Sequence, residues 1–232
     1  MNALGSARAH VPVLLAFAAL ACGDDTGCPS VRAPEPTEAQ AVLLDPGAAA
    51  FEAEPPDTFR ARFETSTGPF TIEVIRAWAP LGAKRFYNLV RNGFFDDNRF
   101  FRVLPGGIVQ FGVHGVPAIQ NAWDGQVIPD DPVLMSNERG TVTFATAGPG
   151  TRTTQLLINY RTNEGLDAQG FAPIGRVTEG MSALVALYSE YGEMAGLGGQ
   201  GVDYGCMLTG GNAYLDRRFE RLDHIQTARI VQ

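Results

Sequence analysis

A change of hydrophobic period at residue 59 limits what this chain can become. Phe59, Ala61 and Phe63 alternate with Arg60, Arg62 and Glu64, and after Ser66-Thr67-Gly68 the alternation resumes in Phe70, Ile72 and Val74. A period of two sends every second side chain to one face, so these residues predict a hairpin with one buried face. Pro80 suits the first turn of a helix. Beyond it Ala83, Phe86, Leu89 and Val90 recur at three- and four-residue steps, up to a stop at Asn92-Gly93. Strand-like pieces follow at Phe100 to Leu104, Ile108 to Phe111, Val142 to Ala145, Leu156 to Ile158, Ile174 to Val177 and Ala228 to Val231. Gly180 opens a second amphipathic helix in which Met181, Leu184, Val185 and Tyr188 share a face. Short strands with two helices and no β-α alternation predict a mainly β fold, an antiparallel barrel or sandwich. The 27 glycines and 15 prolines, about 18% of 232 residues against roughly 12% on average, fit such a turn-rich sheet better than a helical bundle. The tract Gly192 to Gly211 reads as a long glycine-rich loop, and residues 212–224 as a helix or loop beside the last strand.

Charge excludes one class of partner. The chain carries 18 Lys and Arg against 25 Asp and Glu, a net −7 without a basic run, so nucleic acid is not its ligand. With 45% hydrophobic residues it can bury a core. Gly196 to Gly201 matches G-x-G-x-x-G with Asp216 twenty residues beyond its first glycine, but no strand precedes it, as a dinucleotide site requires. No G-x-S-x-G elbow exists for a serine hydrolase. His114 and His224 have no second His, Cys or carboxylate at metal-ligand spacing, so neither metal nor cofactor is expected. Asp130-Asp131, between Pro129 and Pro132, reads as a solvated turn.

The segment Val11 to Cys22 is an apolar run of 12 residues after Arg8, too short to span a bilayer and suited to a secretory signal. Its end, Ala19-Leu20-Ala21-Cys22, resembles a bacterial lipobox, which implies lipidation at Cys22 and an anchor in the cell envelope facing the periplasm. Plain secretion, or a soluble periplasmic form, is the alternative. Gly23 after Cys22 favours the outer membrane, by resemblance to lipoprotein sorting. Lipidation of Cys22 leaves Cys28 and Cys206 as an even pair where disulfides persist, so a bridge is expected; two free thiols, in a tether and a loop, are the alternative. The organisation predicted is a signal peptide at 1–21, a Pro/Ala/Glu-rich tether at 22–58 with a short helix at 39–44, and a folded domain at 59–232.

Three segments carry a family resemblance. Phe100-Phe101-Arg102-Val103-Leu104-Pro105-Gly106-Gly107-Ile108-Val109-Gln110 resembles the F-H-R-V-I-P-G-F-M-x-Q stretch of cyclophilins. Phe144 to Pro149 with Thr154 to Ile158 resembles M-A-N-A-G-P followed by S-Q-F-F-I, and Leu166-Asp167, Ile174 to Val177 and Glu179-Gly180-Met181 resemble L-D, F-G-x-V and E-G-M. Phe86-Tyr87-Asn88-Leu89 is similar to the family's N-F-x-x-L on its first helix. The resemblance implies a closed eight-stranded antiparallel barrel capped by two helices, and a peptidyl-prolyl cis/trans isomerase that works as a monomer on proline-containing peptides or unfolded exported proteins. It implies Arg102 and Gln110 as the catalytic pair. It also implies a substrate groove of Phe101, Gly107, Ile108, Ala145, Thr146, Gln155, Leu157 and Leu166.

This chemistry needs little machinery. Amide resonance sets a barrier of about 18–20 kcal/mol to rotation about an Xaa-Pro bond. A donor aimed at the prolyl nitrogen favours the twisted state, in which that nitrogen is pyramidal, and Arg102 offers a rigid cationic fork for the purpose. Gln110 would orient Arg102 or hold the substrate backbone. Without the resemblance, Arg102 reads as a surface arginine. The chain departs from the family where aromatic residues are usual: Gly107 and Leu157 stand in the proline pocket, Gly165 stands for the family's Trp, and the pocket His falls at Gly170 or Phe171. Phe171 can refill the space left by Gly107. One lost aromatic contact costs about 1–3 kcal/mol, which predicts activity about ten- to a hundredfold below a typical member. The rival reading is a binding module with the same fold and little turnover.

Overall fold

The computed structural model describes residues 27–231, so the signal segment and Cys22 lie outside the described residues. The predicted hairpin is β1 (Thr58–Thr65) and β2 (Phe70–Ile75), and the helix after it is α1 (Pro80–Arg91). Then come β3 (Arg102–Val103), β4 (Ile108–Phe111), α2 (Pro117–Trp123), β5 (Thr141–Phe144), β6 (Leu156–Asn159), β7 (Pro173–Glu179), α3 (Met181–Val185), α4 (Tyr204–Arg218) and β8 (Ile225–Val231). All eight strands form one antiparallel sheet in the order β3-β4-β6-β5-β7-β2-β1-β8.

The sheet curls into a half-barrel, which corrects the expectation of a closed one. Its edge strands β3 and β8 do not ladder with each other. The chain before β3 meets the start of β8 and the residues before it, with Asp97 N–H donating to the Ile225 carbonyl at 2.8 Å and Phe100 N–H to the Asp223 carbonyl at 3.0 Å. Inside the curl, Phe59, Phe63, Phe70, Ile72 and Val74 from the hairpin meet Phe86, Leu89 and Val90 from α1, all buried. The rings of Phe63 and Phe70 stack at 4.7 Å, and Phe95, Phe100 and Phe111 complete the aromatic core. Helix α1 has no cap of its own at Ala79. Its first N–H groups, from Leu81 and Gly82, donate instead to Asp131 at 3.0 and 2.8 Å. An anion there also answers the positive end of the helix.

A mainly β chain with two helices is likewise corrected: about 30% is helical and 22% strand. The helix at Gly180 stops at Val185, which leaves Tyr188 outside it. Helix α4 takes over the end of the predicted glycine loop. Gly205, Gly210 and Gly211 lower its intrinsic helicity and conceal it from pattern reading. At Gly211 the backbone leaves helical geometry, with φ +55°, and a Cβ would meet the Gly115 carbonyl oxygen. The helix persists because Cys206, Met207, Tyr214 and Leu215 pack into a second buried cluster with Phe101, Val113, Met194 and Val202.

The predicted tether is a strap laid along the domain. Leu43 and Phe51 are buried in the main core, the Phe51 ring meets Trp123 edge-on at 4.8 Å, and Trp123 Nε1 donates to the Leu43 carbonyl at 2.8 Å. Apolar residues spaced among prolines hid this packing. A 3-10 helix, Glu38–Leu44, stands where the short helix was expected. Cys28 and Cys206 form the disulfide, which joins the strap to the first turn of α4.

Candidate active site

Strand register builds the site. Arg102 on β3 pairs with Gln110 on β4, Gln110 with Leu157 on β6, and Leu157 with Thr143 on β5. These side chains form one row across four strands. Ile108, two residues before Gln110, shares its face by the period of two. Next to the row lies a small apolar cluster of Ile108, Ala145, Leu157, Leu166 and Phe171. Phe171 belongs to it, whereas Gly165 and Gly170 are exposed.

A hydrogen-bond chain runs along the row. Arg102 Nη1 donates to Gln110 Oε1 at 3.1 Å, and Gln110 Nε2 donates to Gln155 Oε1 at 2.9 Å. Gln155 Nε2 then donates to the Tyr204 hydroxyl at 2.9 Å. At the other end Arg102 Nη2 donates to Glu193 Oε2 at 2.7 Å. The Gln110 amide is thus fixed between Arg102 and Gln155. Arg102 is 1% exposed, which corrects the reading of a surface arginine. Its Nε–H is buried without a hydrogen-bond partner. An unsatisfied buried donor costs about 1–3 kcal/mol, a cost that a substrate acceptor would remove. Burial pushes the Tyr204 hydroxyl up to about 12, so it stays protonated near neutrality.

Not every predicted residue joins this cluster. Phe101, just before β3, packs instead into the second cluster under α4, with Val113, Met194 and Val202. Gly107 sits in the β3-β4 turn, where its carbonyl accepts from Tyr160 N–H at 2.9 Å and from Asn163 Nδ2 at 3.2 Å. Ala145 N–H donates to the Gln155 carbonyl at 2.9 Å, so that amide is engaged within the sheet. The Thr146 hydroxyl ties up the 146–151 loop through the Gly148 carbonyl and the Thr151 hydroxyl.

Sequence reading missed three features. Glu193 and Tyr204 carry no motif and reach the site only through the fold. Asp131 is no solvated turn: it is 5% exposed and pairs with buried Arg152 at 3.1 Å while capping α1. A helix does follow Gly196 to Gly201, but the Asp203 carboxylate accepts from the Cys206 N–H in its first turn. Negative charge therefore already stands where a pyrophosphate would bind, and the dinucleotide reading stays excluded.

The eight-stranded antiparallel curl and the Arg-Gln row over an apolar cluster define a cyclophilin-like protein. Residues 60–195 match the family described as cyclophilin type peptidyl-prolyl cis-trans isomerase/CLD. A peptidyl-prolyl cis-trans isomerase of Acinetobacter baylyi is 31% identical over 126 residues, 52% of this chain and 67% of that protein. Peptidyl-prolyl cis-trans isomerase A of Dickeya dadantii is 33% identical over 122 residues, 50% of this chain and 64% of that protein. A crystal structure of a cyclophilin type isomerase from Cryptosporidium parvum superposes with a TM-score of 0.54 at 18% identity, covering 75% of this chain and 98% of the other. The chain belongs to the cyclophilin-type peptidyl-prolyl cis-trans isomerase family.

Proposed function

We propose that the chain isomerises Xaa-Pro bonds, with Arg102 donating to the prolyl nitrogen as the bond twists and Gln110 holding the guanidinium in place. The observation that carries this reading is the buried Nε–H of Arg102, unpartnered beside the cluster of Ile108, Leu157, Leu166 and Phe171. The apolar cluster would take the proline ring, and the donor would lower the barrier without a nucleophile or a proton transfer. A structural neighbour was crystallised in the presence of the dipeptide Ala-Pro, which makes such a sequence a sensible probe. The test is NMR exchange between cis and trans forms of an Ala-Pro-Phe peptide with the full chain and its Arg102→Ala variant. Exchange that is faster with the parent and slowed in the variant supports the reading. Equal exchange in both, at any rate above background, removes Arg102 from the mechanism.

The setting belongs to the same proposal: a lipid-anchored or secreted envelope protein acting on exported chains, whose folding prolyl steps slow. A bonded Cys28–Cys206 pair supports an oxidising compartment. Mass spectrometry of the mature N-terminus tests the anchor, since a lipid on Cys22 supports it and a lipid-free N-terminus beyond Cys22 removes it.

A further inference from the structure

The predicted groove is shut. Arg102, Gln110, Ile108, Ala145, Thr146, Gln155, Leu157, Leu166 and Phe171 are each less than 9% exposed. One stretch of the chain, Tyr191 to Tyr204, supplies three of the contacts that cover them. Its contacts fall on the positions a substrate would use. Glu193 pairs with Arg102, Tyr204 accepts from Gln155, and between them Leu197 packs on the Ile108, Leu157 and Phe171 cluster.

The stretch is built to keep this shape. Gly201 N–H donates to the Glu193 carbonyl at 2.8 Å, Ala195 N–H to the Val202 carbonyl at 3.2 Å and Gly199 N–H to the Met194 carbonyl at 3.1 Å, so the loop closes on itself. A Cβ at Gly199 would lie 2.0 Å from the Glu193 carbonyl oxygen, and only glycine fits there. One carboxylate oxygen of Glu193 is held by the Met194 N–H at 2.8 Å, which aims the other at Arg102. Met194 is seated among Phe101, Val202 and Met207, and the Cys206 disulfide anchors the trailing end. The family match ends at residue 195, so Leu197, Tyr204 and the anchoring helix lie beyond it.

The geometry points to an intramolecular lid: Tyr191 to Tyr204 occupies the groove as a substitute for substrate and regulates access to it. Peptide must displace Leu197 and Glu193, and the apparent affinity falls by the fraction of molecules that are open. This inference rests on the groove being the isomerase site, and the test separates the two. The full chain is compared with an E193Q/L197S double variant, which removes the charge and the apolar plug, and with Tyr204→Phe; folding of each is checked by its methyl NMR spectrum. Binding of an Ala-Pro-Phe peptide is titrated by amide shifts, and exchange is measured on the same samples. The lid predicts at least tenfold tighter binding by the double variant and a smaller gain for Tyr204→Phe. Unchanged binding by both folded variants overturns it. Tighter binding without faster exchange upholds the lid and overturns the isomerase reading, whereas fast exchange that is equal in all three does the reverse.

Discussion

Arg102 and Arg152 are each 1% exposed, yet their surroundings differ. Both guanidinium ends of Arg152 reach Asp131 Oδ2, at 3.2 and 3.1 Å, one of them also meets the Pro129 carbonyl, and its Nε lies 3.3 Å from an Asp130 carboxylate oxygen, off-axis for a hydrogen bond. The Asp131 side chain is as buried as its partner. Arg102 has one carboxylate, on Glu193, whose side chain is 25% exposed and sits on a loop, and its Nε has no acceptor. Neither Nε has a hydrogen-bond partner, so the two arginines differ in their carboxylates: Arg152 meets two, from Asp130 and Asp131, and Arg102 meets one. His114 extends the series: it forms no ion pair among the described residues, its Nδ1 accepts from Val116 N–H at 3.0 Å, and burial holds its pKa down to about 4.

The largest effect expected is on Arg152. Arg152→Ala leaves Asp131 buried and uncompensated and loosens the cap of α1, for a loss of about 3–5 kcal/mol in urea unfolding. A loss below about 1 kcal/mol would dissolve the contrast between the two arginines. Arg102→Ala, made in the E193Q/L197S background, should slow peptide exchange about 10²–10³-fold. Its cost in unfolding free energy should be only about 1–2 kcal/mol, since no second buried charge is stranded. A stability loss equal to that of Arg152→Ala would mark Arg102 as structural.

Next comes the uncharged member of the series. The His114 pKa is about 4 in the fold against 6.5 for the free side chain, so between these values the unfolded chain binds a proton that the native chain does not. Stability should therefore be unaffected above pH 6.5 and fall by about 3 kcal/mol as the pH drops through that window. His114→Asn, which keeps an acceptor for Val116 N–H, should flatten this part of the profile; an unchanged slope in chemical unfolding would place the proton uptake elsewhere. The smallest effect belongs to Gln110. As a positioning residue acting through Arg102, Gln110→Ala should lower kcat about tenfold with peptide affinity unchanged, and a change confined to affinity would reassign it to substrate binding.

Some of this was legible in residue order. Alternation from Phe59 to Val74, the three-four spacing after Pro80 and the strand runs to Val231 give β1, β2, α1 and β4 to β8 within a few residues, because those periods reflect one-sided burial. Arg102 and Gln110, eight apart, pair across a short turn, so their contact is nearly local. The strap and α4 were obscure for the opposite reason: prolines and glycines give them weak local preferences, and their order comes from Leu43, Phe51, Tyr214 and the disulfide meeting distant partners.

The sequence by itself determined the family, the antiparallel sheet and the closeness of Arg102 to Gln110, since each is written in short-range pattern or motif. Only the tertiary structure decided that Arg152 is a strut, that Asp131 caps a helix 49 residues away, and that Glu193, Leu197 and Tyr204 close the groove. Those contacts join segments with no shared period, and a carboxylate or a leucine carries no mark of the charge or cavity it will meet until the chain has folded.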